Sequence, residues 1–173
     1  MGNSYFVMSV TMTFLLFIIF AYFAFAQKER AVGIWSMAWL LSSCRQITVY
    51  LLGAGRSDGF NLMINEIFVI LIAVLFAFGT YYFTNRKPSK WLAAVFALEC
   101  LWSIFSISYN LHFIMRLIPI ILLLLHAYGE IGVLLLRDKA TSCLSNKILG
   151  ISFFGGGLMT IALVVLVNIP AMI

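Results

Sequence analysis

The chain has 173 residues, of which 64% are apolar and only 10% charged, and its mean hydropathy is +1.08. A water-soluble domain of this size has too much surface to carry that composition, so an all-α, polytopic transmembrane helix bundle is expected. The formal charge of +5 is spread over short loops with no interleaved aromatics, which argues against a nucleic-acid partner.

A helix needs about 20 apolar residues to cross a hydrocarbon core of ~30 Å. Runs at 5–26, 31–53, 60–84, 91–109, 111–136 and 147–170 meet that length, and together they predict a single transmembrane domain over 1–173. The first run, after "MGNSYFVMSV", lacks a basic leader and reads as a retained helix. Between the runs stand the polar breaks "QKER", "GAGRSDG", "NRKPSK", "YNLH" and "RDKATSCLSNK". Lys28 and Arg30 lie in the first break, Arg86, Lys87 and Lys90 in or beside the third, and Arg137, Lys139 and Lys147 in or beside the fifth. The second has Arg56 offset by Asp58, and the fourth has neither Lys nor Arg. Odd-numbered loops are therefore expected in the cytoplasm and the N-terminus outside. The last run stops at "VLVNIPAMI" without a polar tail, and reads as an end cut before a seventh span.

Ionisable groups inside apolar runs are the best pointers to function, because a central arginine costs roughly 2.5–3.5 kcal/mol on insertion scales. Arg45, Gln46, Asn65, Glu66, His112 and Arg116 all fall in the expected outer half of the bundle. Arg45 and Glu66 sit at similar depth on runs joined by a short loop, and Arg116 enters the fifth run about as deeply. Two guanidinium groups against one carboxylate leave positive charge, which suits a small anionic or carbonyl-bearing ligand entering from outside. A structural Arg45–Glu66 lock is the competing reading.

A second set of groups lies deeper. In the fifth run His112, Arg116, Pro119, Leu123, His126 and Glu130 alternate steps of four and three, which is one face of a helix. Pro119 should bend that helix. The fourth run carries the stripe Trp91, Val95, Glu99, Trp102, Ser106 and Tyr109. Glu99, Trp102, His126 and Glu130 are expected as a polar core, with a Glu99–His126 contact within reach. Gly155, Gly156 and Gly157 in the sixth run suit close helix packing. Cys44, Cys100 and Cys143 have no CxxC or Cys/His spacing and read as reduced thiols, with no metal and no cofactor expected.

The order of features carries a likeness. The pieces are "QKERAVGIWSMAWLLSSCRQ", with Trp35, Trp39 and a downstream Arg45, then "FGTYYFTNRKPSKW", "LHAYGEIGVLLLR" and "KILGISFFGGGLMTIAL". The chain resembles the N-terminal seven-transmembrane-type sensor region of bacterial histidine kinases and GGDEF diguanylate cyclases, without the last helix and the output domain. That resemblance implies a multi-pass protein of the bacterial inner membrane. It also implies a role in two-component or related signal transduction, and a homodimer formed through the output module. Three readings follow. The first is a sensory input domain that binds a small molecule through Arg45, Glu66 and Arg116. The second is a small transporter or substrate-binding membrane subunit that uses Glu99, His126 and Glu130. The third, an enzyme, has least support, since no HExxH, nucleophile or Asp-rich motif is present.

Overall fold

The structure, a computed structural model, describes residues 2–51, 59–109, 111, 113–137, 150, 151, 153, 155 and 158. Every regular element among the described residues is helical: α1 (Gly2–Gln27), α2 (Arg30–Leu51), α3 (Gly59–Phe83), α4 (Lys90–Ser108) and α5 (Phe113–Arg137). Each of the first five apolar runs thus carries a helix. Much of the sixth run lies outside the described residues, although Gly150, Ile151, Phe153, Gly155 and Leu158 are helical. Phe6–Gln27, Met63–Phe83 and Ile118–Arg137 are long and apolar enough to cross a membrane. The chain divides into two compact units, Met1–Lys87 and Pro88–Ile173.

In the first unit α2 packs against both α1 and α3, and α1 and α3 do not pack on each other among the described residues. The three helices form a row with α2 in the middle. Both joints are antiparallel. Phe6 stacks on Tyr50 with ring centroids 3.9 Å apart. The Ser43 hydroxyl lies 2.9 Å from Thr13 Oγ1. Phe20 meets the edge of Trp35 at 6.3 Å. On the other side Trp39 meets Phe76 at 5.3 Å and Trp35 meets Phe83 at 5.4 Å.

The row explains where the polar residues went. The helix at its edge, α1, is apolar all round and exposes Val7, Met8, Met12, Phe14, Ile18 and Phe25, as a lipid-facing helix does. With a neighbour on each side, α2 can carry Ser36, Ser43, Arg45 and Gln46. Ser36 and Ser43 are buried there, and Arg45 and Gln46 are half-buried.

The buried face of α3 runs through Ile70, Ala73, Ala77 and Thr80 and continues to Thr84, just past its end. Thr80 and Thr84 keep their hydroxyls satisfied inside apolar surroundings. Thr80 Oγ1 donates to the Phe76 carbonyl at 2.9 Å, and Thr84 Oγ1 to the Thr80 carbonyl at 2.9 Å. The helix then closes in a Schellman turn. The Arg86 amide donates to the Tyr81 carbonyl at 3.0 Å and the Asn85 amide to the Tyr82 carbonyl at 3.2 Å. Asn85 takes the left-handed conformation that this turn requires, with φ at 51°, and asparagine tolerates that region better than most residues.

Lys28, just past the end of α1, also sits at a positive φ of 55°. A lysine there carries a backbone penalty that glycine avoids. Lys28→Gly should therefore raise stability by about 0.5–1 kcal/mol, after subtraction of the extra freedom that glycine gives the unfolded chain. Thermal unfolding in detergent reads the change. A lower midpoint would mean that the lysine side chain contributes more than its backbone conformation costs.

In the second unit α4 and α5 pack together. The sequence SerLys at the start of α4, after Pro88, places Ser89 at the N-cap, and its carbonyl accepts from the Ala93 amide at 3.3 Å. The buried residues of α4 are Leu92, Phe96, Glu99, Ser103 and Ser106, and those of α5 include Arg116, Leu123, Leu124, Ala127, Ile131 and Leu135. Gly150 packs closely on α5. A methyl built on it would lie 3.2 Å from Leu135 Cβ and 3.3 Å from the Gly132 carbonyl oxygen. The same construction on Gly155 meets no atom of the described residues within 4 Å, while Gly156 and Gly157 lie outside the described residues.

Candidate functional site

Arg45 has a defined partner across the α2–α3 joint. Its Nε donates to Asn65 Oδ1 at 2.8 Å, a charge-assisted bond of good length. The geometry follows from the antiparallel pairing, which brings the last turns of α2 level with the first turns of α3. Glu66 follows Asn65 on α3 and is buried at 5% exposure. Gln46, beside Arg45, is half-buried, and its Oε1 accepts no hydrogen bond from the described residues. The first unit therefore gathers an amide, a carboxylate, a guanidinium and a second amide near one end of the α2–α3 pair. His112 lies outside the described residues, and Arg116, buried at 6% exposure, belongs to the second unit.

The second unit holds a cleft of about 300 Å³ between α4 and α5. Val95, Leu98 and Glu99 line it from α4, and Pro119, Leu122, Leu123 and His126 from α5. Glu99 is buried and reaches the cleft from a face otherwise made of apolar and hydroxyl side chains. His126 stands at the rim with its side chain 44% exposed. Its Nε2 lies 3.6 Å from Glu130 Oε2, one turn further along, a separation longer than a hydrogen bond. Pro119 is inside α5 without interrupting it, and its ring forms part of the cleft wall. Glu99 and His126 thus share one cleft, and Glu130 adjoins it through His126. Trp102 is half-buried, and its Nε1 donates to no described residue; the same holds for the Ser103 hydroxyl, one turn from Glu99.

Several contacts have no counterpart in the sequence reading. Trp35 Nε1 donates to the Phe76 carbonyl at 3.2 Å, and Gly79 leaves the space in which the indole lies. Ser43 and Thr13 tie α1 to α2. Only the tryptophan itself signals the first: a buried indole N–H needs an acceptor. Nothing in the sequence selects Phe76. Among the described residues no three His, Cys, Asp or Glu side chains converge as a metal would need.

Comparison with family models, with curated proteins and with solved structures finds no match for this chain.

Proposed function

We propose that the chain is a membrane-embedded sensory input domain of a bacterial signal-transduction protein. In this reading it crosses the cytoplasmic membrane six times with its N-terminus outside, and α2 and α4 cross along with the three longer apolar helices. A small anionic ligand enters the outer half of the bundle and is held by Arg45, which Glu66, Asn65 and Gln46 position. The signal passes to a kinase or cyclase module outside this chain, which pairs two copies. The ligand acts by favouring one of two helix packings, and its differential affinity sets how far the equilibrium moves.

The observation that carries the reading is the Arg45–Asn65 bond across the α2–α3 joint, with Glu66 buried beside it. Ionisable groups held at such a depth mark ligand or ion sites by default. The test is thermal unfolding of the detergent-purified protein with acetate, benzoate, succinate or phosphate. At 100 times its dissociation constant a bound ligand adds about 2.7 kcal/mol. At least one of these anions should raise the midpoint in a saturable way, and Arg45→Gln should remove that increment. If no anion shifts the midpoint, or if Arg45→Gln keeps the full shift, the assignment of Arg45 fails.

A small transporter or substrate-binding membrane subunit is the second reading, favoured by the cleft that joins Glu99 to His126. Solute flux into proteoliposomes separates it from the first.

A further inference from the structure

The geometry points to a binding site for an anionic lipid with two phosphates in its headgroup, at the end of the first unit where α1 gives way to α2 and α3 stops. The antiparallel row brings three helix ends together there: Gln27 of α1, Arg30 of α2 and Phe83 of α3. The α2–α3 register at this end is close. The rings of Trp35 and Phe83 have centroids 5.4 Å apart, and a methyl built on Gly79 would lie 3.2 Å from the Ala31 carbonyl oxygen. The site is at the opposite end of the α2–α3 pair from the Arg45–Asn65 bond, so it stands apart from the anion reading of Arg45.

Charge collects here in two pairs. Lys28 and Arg30 flank the α1–α2 joint, and Arg86 and Lys87 follow the turn that ends α3. The Arg86 amide donates to the Tyr81 carbonyl at 3.0 Å, which keeps the second pair against the helix end. All four residues are exposed, and Glu29, also exposed, is the one acid among them. None of the five makes an ion pair with another described residue. Packed helices lie about 8–10 Å apart, so the two pairs stand roughly a helix width from each other. A single phosphate serves one pair, whereas two phosphates on a short linker reach both. Arg30 and Arg86 offer forked donors to phosphate oxygens, and Lys28 and Lys87 add point charges.

Apolar surface beside the cations selects a lipid over a free phosphate compound. Tyr22 and Phe25 in the last turns of α1 are 67% and 88% exposed, and Tyr82 in the last turn of α3 is 54% exposed. Acyl chains lie along such rings while the headgroup stays level with the cations. Lys28 adds a further observation. It holds a φ of 55° that glycine adopts at lower cost. Backbone stability therefore does not account for a lysine at this position, and a cation for a headgroup does.

The test is native mass spectrometry of the full chain in detergent, titrated with cardiolipin, phosphatidylglycerol or phosphatidylcholine. At equal phosphate concentration cardiolipin should bind about tenfold more tightly than phosphatidylglycerol, because its second phosphate binds intramolecularly. Phosphatidylcholine should bind most weakly. The paired variants Lys28→Gln/Arg30→Gln and Arg86→Gln/Lys87→Gln should each bring cardiolipin down to the affinity of phosphatidylglycerol. Lys28→Gly should weaken cardiolipin binding while it raises the unfolding midpoint, a combination that a purely structural lysine would not give. Arg137→Gln, in the second unit, should leave binding unchanged. Equal binding of cardiolipin and phosphatidylglycerol per phosphate would overturn the proposal, as would a cardiolipin preference that survives either paired variant. An equal loss from Arg137→Gln would also overturn it, since net charge alone would then be felt. So would displacement of cardiolipin by sodium pyrophosphate, which would put a free phosphate compound at the site.

Discussion

Gly79→Ala should destabilise the first helical unit by about 2–3 kcal/mol, an unusually large effect for one added methyl group. The methyl would overlap Trp35 Cδ1, lie 2.5 Å from Trp35 Nε1 and lie 3.2 Å from the Ala31 carbonyl oxygen. The indole cannot swing aside cheaply. It is 3% exposed, donates to the Phe76 carbonyl, and is flanked by the rings of Phe20 and Phe83. That carbonyl also accepts from Thr80 Oγ1, so displacing the indole disturbs a shared acceptor. Removing the indole itself, as Trp35→Ala, should cost about 3–5 kcal/mol. The informative measurement is the double variant. With Trp35→Ala in place the extra methyl of Gly79→Ala enters the vacated space, and its own cost should fall to near zero or reverse. Unfolding in detergent–denaturant mixtures gives the four free energies of the cycle. Additive losses would show that the methyl and the indole do not compete for the same volume.

Asn65→Leu should cost about 2 kcal/mol, because it takes away the acceptor that receives Arg45 Nε at 2.8 Å and leaves a half-buried cation short of one charge-assisted hydrogen bond. The figure is kept below that for a fully buried ion pair, since Arg45 retains partial access to its surroundings. Arg45→Met removes the cation, and the pair Arg45→Met/Asn65→Leu replaces both polar partners with hydrocarbon. In the background of Arg45→Met the added Asn65→Leu should cost little, because the oxygen it removes no longer receives the Arg45 Nε. The same proteins separate a structural role from a ligand-binding one. If the polar pair serves recognition, the double variant is stable and no longer responds to anions. If it serves only to join α2 to α3, the double variant is stable and nothing else changes. Additive losses in the double variant would mean that the Arg45–Asn65 bond itself contributes nothing to the joint.

The helices were legible because length and apolarity alone define them. Each run bounded by Lys, Arg, Gly or Pro became a helix where the structure describes it. Depth along a helix was also legible to about a turn. Arg45 was expected level with Glu66, and its Nε meets Asn65, the residue before it. Glu99 and His126, expected near one another, line one cleft. Rotation about the helix axis was not legible. In α4 the expected stripe of Trp91, Val95, Glu99, Trp102, Ser106 and Tyr109 gives way to a buried face of Leu92, Phe96, Glu99, Ser103 and Ser106. Trp91 and Tyr109 are 78% and 68% exposed. The reason is physical. A lipid-facing surface is as apolar as a buried one, so polarity contrast does not orient a membrane helix. Small residues orient it better, and Ser103 and Ser106 on the inner face of α4 were the signal. The contact of Gly79 with Trp35 follows the same rule from the other side: a gap on one helix receives a ring from another, and sequence spacing within either helix does not reveal it.

The row arrangement of the first unit bears on how the protein is made. Spatial order there repeats chain order, α1 then α2 then α3. When α2 leaves the ribosome, α1 is already in place to receive Ser43 at Thr13 and Tyr50 at Phe6. When α3 follows, the exposed side of α2 already presents Trp35 and Arg45 to Phe76 and Asn65. No helix has to wait for a distant segment, and no early helix has to be displaced to admit a later one. Such a sequence of nearest-neighbour pairings suits assembly during synthesis, turn by turn, as the chain enters the bilayer. The helix of this unit that carries the arginine, α2, is the one whose partners are made immediately before and after it.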